Sequence, residues 1–226
     1  MACTILAMAC SVAGAAEEKR DHVHLTLSLA VSARPPLPAG DVLGLYAVEV
    51  LACPAPQAVT SGRARWLALL DRVSGSLMSS AWASHRDQYD RPGARIVTTR
   101  VRLDRADSYP LGTVVIPSGR YCHVRMTLTR LPATTGAHAL PALETSVRLS
   151  RPGNLPPMAP SYIVGLELPF AKPWQAGHGN AQLTLTLDPS SAAPVLADAS
   201  LSEGALLRLV VARWVASSRL TLQQRP

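Results

Sequence analysis

Residues 22–31 read HVHLTLSLAV, and the rhythm of this stretch decides the fold. Every second side chain, from Val23 through Leu25, Leu27 and Leu29 to Val31, is apolar, and His22, His24, Thr26 and Ser28 alternate with them. A period of two puts alternate residues on opposite faces of an extended chain, which predicts a strand with one dry and one wet face. RIVTTRVRL (95–103) repeats the pattern, with Val97, Val101 and Leu103 inward and Arg100 and Arg102 outward. ETSVRLS (144–150) offers Val147 and Leu149, SYIVGLELPF (161–170) offers Tyr162, Val164, Leu166 and Leu168, and AQLTLTLDP (181–189) offers Leu183, Leu185 and Leu187. Pro, Gly and Ser clusters separate these runs. The pattern predicts an all-β fold, mainly an antiparallel β-sandwich of Greek-key or Ig-like kind.

Bulk composition agrees. A chain of 226 residues suits one large all-β domain, and 19 prolines favour loops over long helices. Hydrophobic residues make up 48% and charged residues only 16%, which excludes a disordered chain. With one Phe and four Trp, the core must be filled by Leu, Val and Ala. The net charge of +7 is almost entirely arginine, spaced singly as at Arg100, Arg102, Arg105, Arg120, Arg125 and Arg130. No basic run and no nucleic-acid motif accompany it, so a solvated basic surface is expected, without nucleic acid.

The first residues, MACTILAMACSVAGAAEEKRDH (1–22), carry an apolar stretch that ends in AGAA and then turns charged. This pattern predicts a secretory signal over 1–16, cleaved near Ala15 or Ala16, and a single domain over 17–226 that is periplasmic or extracellular. No later segment holds 18 uninterrupted apolar residues, so no transmembrane helix is expected in the mature chain. Cleavage removes Cys3 and Cys10 and leaves Cys53 and Cys122. Outside the cytoplasm that pair reads as a disulfide closing a loop of about 70 residues. Two buried thiols or a thiolate metal site are the alternatives.

In VVIPSGRYCHVRMTLTRL (114–131), Pro117-Ser118-Gly119 turns the chain. Alternation then places Cys122, Val124, Met126 and Leu128 inward, and Tyr121, His123, Arg125, Thr127 and Thr129 outward. In LGLYAVEVLAC (43–53) the better inward set is Tyr46, Val48 and Val50, which leaves Cys53 on the opposite face; a bulge or strand end before Pro54 is expected to reconcile the two. Residues 54–94, with Trp66 and Trp82, break the rhythm and read as an insertion on the sheet edge. SLSEGALLRLVVARWVASS (200–218) changes period: Ser200 and Glu203 have capping-box spacing, and Leu206, Leu209, Val210 and Trp214 share one helical face. A C-terminal helix over about 201–217 is expected, with a strand over the Val-rich RLVVARWV (208–215) as the alternative.

His22 and His24 are the leading metal candidates. Two residues apart on a strand, they project from one face about 7 Å apart, within reach of a single ion. Further donors must come from elsewhere, and His123, His178 and Met158 are the candidates; imidazole with thioether suits copper. Trp174, Gln175 and His178 lie in KPWQAGHGN (172–180), read as a loop able to hold a ligand or partner. There is no Gly-x-Ser-x-Gly elbow, no His-Glu-x-x-His and no Ser-x-x-Lys, so catalysis is not expected.

Three stretches in this order, GLYAVEVLA (44–52), RWLALLD (65–71) and GTVVIPSGRYCHVRMTL (112–128), resemble the MbnP-like proteins of bacterial metallo-mystery pair operons. The resemblance lies within residues 44–128. It implies an exported, largely β protein linked to copper and encoded beside a di-haem peroxidase-like partner. The sequence departs from that family in keeping two cysteines after cleavage rather than four. The expected function is thus an exported, non-catalytic binding or accessory protein associated with copper. The alternatives are a metal-free structural or adhesive surface module and a hydrolase with a dispersed site.

Overall fold

A computed structural model describes residues 22–32, 40–54, 91–132 and 143–225. The predicted signal at 1–16 and most of the predicted insertion, with Trp66 and Trp82, lie outside the described residues. The strands are β1 (His22–Val31), β2 (Val42–Ala52), β3 (Ala94–Arg102), β4 (Asp107–Pro117), β5 (Gly119–Leu128), β6 (Val147–Arg148), β7 (Val164–Ala176), β8 (Gly179–Leu187) and β9 (Arg219–Arg225). A 3₁₀ turn, Pro189–Ala192, runs into a short helix α1 (Ala193–Leu196), and helix α2 (Glu203–Ser217) follows.

The strands form two sheets, as the alternation predicts. One has the order β4-β1-β8-β9, the other β3-β2-β5-β7 with β6 beside β2. All pairings are antiparallel except β1 with β8. The apolar set of β1 is fully inside, as are Leu183, Leu185 and Leu187 of β8 and Val147 and Leu149 around β6. Each buried Leu or Val contributes about 1.5–3 kcal/mol relative to exposure. Val124, Met126 and Leu128 of β5 and Leu166 and Leu168 of β7 face them from the second sheet.

Bulges reset the alternation where a single strand cannot reveal it. Against β5, Tyr46 is the extra residue between Leu45 and Ala47, whereas against β3 the excess lies on β3, where Val97 and Thr98 stand opposite Tyr46. Leu43 and Leu45 before it and Val48 and Val50 after it can then all face inward, while Tyr46 is only half-buried. This corrects the Tyr46-Val48-Val50 inward set. On β4, Leu111 is the extra residue between the Leu27–Gly112 and Ser28–Pro110 pairs. On β5, Leu51 pairs with His123 and Ala52 with Tyr121, which makes Cys122 the extra residue. Tyr121 therefore turns inward and is buried, and Cys122 is half-buried, against the expected arrangement. Tyr162 stands before β7 and is 48% exposed rather than inward.

Helix α2 ends where predicted but starts from a different cap. Ser202, not Ser200, accepts from the Ala205 N–H at 3.4 Å. The Ser200 hydroxyl instead donates to Asp198 at 2.6 Å, and the Glu203 carboxylate accepts from the Ala159 N–H at 3.2 Å, so no capping box closes. Leu206, Leu207, Val210 and Trp214 are buried while Leu209 is 45% exposed. At about 100° per residue, Leu209 points roughly 110° away from the centre of that face. Trp214 is fully enclosed and its indole N–H donates to the Pro189 carbonyl at 3.4 Å. The chain then adds β9, a strand the sequence reading did not anticipate, with Leu222 opposite Leu183 and Leu220 opposite Leu185.

Candidate functional site

The registers gather most of the singled-out residues at one end of the sandwich. His22 pairs with Pro117, Ala52 with Tyr121, Tyr121 with Trp174, and Val23 with Gly179. The start of β1, the end of β2, the β4–β5 hairpin and the β7–β8 turn therefore meet there. Cys53 and Cys122 are joined by a disulfide at this end, with Cα atoms 4.8 Å apart. The β5 bulge brings Cys122 to the end of β2, and the Cys53 N–H donates to the Arg120 carbonyl at 2.8 Å. The expected strand end before Pro54 is present, β2 stopping at Ala52, and the bulge that brings Cys122 to it lies on β5.

His22 and His24 lie exposed on the outer face of the first sheet, as expected from their spacing. His24 is flanked by Val115 on β4 and Asn180 on β8. His178 immediately precedes Gly179, the partner of Val23, and is also exposed. His123 is elsewhere. It sits on the outer face of the second sheet beside Arg125, with the whole core between it and the His22–His24 face. Stacked sheets are about 10 Å apart, so no single ion spans that distance. Met158 pairs with Leu149 near the start of β2, at the opposite end, and is only 2% exposed among core side chains. His123 and Met158 therefore do not join the His22–His24 pair. Among the described residues, no group of three or more His, Cys, Asp or Glu is placed to hold a metal ion.

Trp174 is part of β7 rather than of a loop. Opposite Cys122, β7 bows out over Phe170–Pro173, because His123 pairs with Pro169 and Tyr121 with Trp174. The indole is buried against Tyr121 and Phe170, with ring centroids at 5.8 and 6.1 Å. Such tilted pairs add about 0.5–1.5 kcal/mol beyond area burial. The Tyr121 hydroxyl donates to the Pro117 carbonyl at 2.9 Å, and burial pushes its pKa up. The Trp174 indole N–H is buried without a hydrogen-bond partner. Beside it opens a cleft of about 520 Å³ lined by Val23, Gln175, His178, Asn180, Ala181 and Gln224. A second depression, about 370 Å³, lies where β3 meets β4, between His22, Arg91, Arg95 and Thr113. Its arginines are engaged: Arg91 pairs with Glu49, and Arg95 donates to the Thr113 carbonyl at 2.9 Å.

Two polar features were not singled out from the sequence. On the outer face of the second sheet, Glu49 is buried between Arg91 and Arg125, and Arg125 also donates to Glu167 at 2.9 Å through Nε. At the end remote from the disulfide, Asp41 is fully buried. Its Oδ1 accepts from the Ser150 N–H and hydroxyl, both at 2.7 Å, while Oδ2 has no partner. Burial raises its pKa, against the lowering effect of those bonds. An Asp after Pro-rich sequence and a glycine reads as a turn residue, so only the fold reveals its burial. Serine hydroxyls also meet carboxylates at Asp188–Ser190 and Asp198–Ser200, where the bonds close turns.

No family model, no curated protein and no solved structure matches this chain.

Proposed function

We propose that this protein is an exported, non-catalytic binding module that serves as an accessory to another protein outside the cytoplasm. The observation that carries the reading is the Cys53–Cys122 disulfide, which ties β2 to the β5 bulge at the end where His22, His24, His178 and Trp174 gather. Disulfides persist in oxidising compartments and are rare in the cytosol. The bond holds fixed the strand ends on which a binding site would depend, and buried apolar side chains account for the interior. The resemblance to MbnP-like proteins extends the reading to copper and a di-haem peroxidase-like partner. The described donors fall short of that extension, since no three of the described His, Cys, Asp or Glu side chains come together to hold an ion.

The test separates the parts. Expression with the native N-terminus, followed by fractionation, places the processed chain in the periplasm or medium; unprocessed chain in the cytosol refutes export. Purified protein equilibrated with Cu(II), desalted and assayed by elemental analysis then decides the extension. Near-stoichiometric copper that His22→Ala with His24→Ala removes assigns copper to the pair. No retained metal confines the function to metal-free binding.

A further inference from the structure

The cleft beside Trp174 is where the interior of the sandwich opens, at the edge where β7 meets β9. Leu220, Leu222 and Gln224 follow one another on the inward face of β9, opposite Leu185, Leu183 and Ala181 of β8. For two steps both strands present leucine. At the third, one offers a small Ala and the other a carboxamide. A closed sandwich end would continue the leucine pair; here Ala181 stays buried but is small, and Gln224 opposite it is exposed. Facing it from the other sheet is Trp174, whose buried N–H has no acceptor. Unpartnered buried donors are uncommon, because each loses its bond to water without replacement.

The lining states what would fit. Among the described residues it carries no carboxylate, ammonium or guanidinium; its polar groups are Gln175, His178, Asn180 and Gln224. A charged ligand would enter without a counter-charge. A carboxamide both donates and accepts, as a hydroxyl does, while Val23, Ala181 and the indole supply an apolar floor. The volume of about 520 Å³ falls in the range of small-ligand sites, about 300–1,000 Å³. We propose that this cleft binds a neutral saccharide unit, the Trp174 N–H donating to a ring or hydroxyl oxygen and Gln224 bonding its hydroxyls. The inference deepens the binding-module reading and names its ligand class.

The test is calorimetric titration of the purified, oxidised full chain with glucose, N-acetylglucosamine, cellobiose and chitobiose, and with glucuronate as the charged comparison. At least one neutral sugar is expected to bind saturably, with Kd on the order of 1 mM or tighter. Trp174→Phe, which keeps the ring packing and removes the N–H, is expected to weaken it by about five-fold. Gln224→Leu continues the leucine series and closes the cleft; it is expected to abolish binding while leaving the melting temperature equal or higher. No saturable binding by any neutral probe overturns the proposal. So does binding that both variants leave unchanged, or tighter binding of glucuronate than of glucose. The titration uses purified protein, so its failure is distinct from a failure of export.

Discussion

Removing the Cys53–Cys122 bond is the perturbation with the largest calculable effect. The two residues are 69 positions apart, and a cross-link over such a loop removes about 4 kcal/mol of unfolded-state entropy at 25 °C. In a chain of 226 residues, 1 kcal/mol shifts the melting temperature by about 2–4 °C, so the oxidised protein should melt about 8–16 °C above the reduced one. The site is favourable for the full effect, because the β5 bulge already brings Cys122 to the end of β2 and the Cys53 N–H bonds to Arg120. Thermal unfolding by circular dichroism, with and without reductant, measures it, and Cys53→Ala with Cys122→Ala checks that the reductant acts only there. The tilted Tyr121–Trp174 pair should loosen together with the bond, visible as a change in near-ultraviolet dichroism below the transition. Identical melting of fully reduced and fully oxidised protein would refute the reasoning.

Other expectations follow from single groups. Burial raises the pKa of Asp41 above its ordinary 3.8, so the folded chain binds the extra proton between those values; the stability from this group is complete below 3.8 and lost as pH rises through the raised value. Asp41→Asn should erase that component of the melting temperature against pH, and parallel curves for the two proteins over about pH 3 to 7 contradict it. Asp104, Asp107 and Asp198 are shifted down, Asp104 and Asp198 chiefly by side-chain bonds to Arg102 and Ser200 and Asp107 by the Ser108 N–H; their stability is present above 3.8 and lost as pH falls, which is why the comparison with the variant is needed. A methyl on Gly44 would lie 2.2 Å from the Thr129 carbonyl oxygen and 2.9 Å from Leu143, so Gly44→Ala should cost about 1–3 kcal/mol by denaturant unfolding; a neutral result denies the close approach. Ser202→Ala should destabilise by about 0.5–1 kcal/mol through loss of the α2 cap, with equal loss of α2 helicity in Ser200→Ala counting against it.

How far the sequence was legible depends on whether a feature is local. The alternation of β1 and β8 is written in residues that are neighbours in the chain, and their leucines are buried as read. Bulges are properties of a pair of strands, so Tyr46, Leu111 and Cys122 could not be recognised from one strand's rhythm. The same limit concealed Trp174, whose Pro-flanked segment looks like a loop until β5 supplies the partner for Tyr121–Trp174 pairing. β9 is short, and its inward set ends in Gln224 where a third leucine would have marked it as a strand. The helix cap was misplaced by two residues because Ser200 and Ser202 both precede Glu203, and only the competing Asp198 bond takes Ser200 away. Of the candidate ligands, the face shared by His22 and His24 follows from spacing, whereas the separation of His123 and Met158 from them requires the topology.

The state of the two cysteines in protein taken from its native compartment tests the account most directly. Exported protein is alkylated before and after reduction, digested and analysed by mass spectrometry. The account predicts a linked Cys53–Cys122 peptide pair in a chain that has lost its first residues, with both cysteines labelled only after reduction. Two thiols that label without reductant, in a chain that still begins at Met1, contradict it.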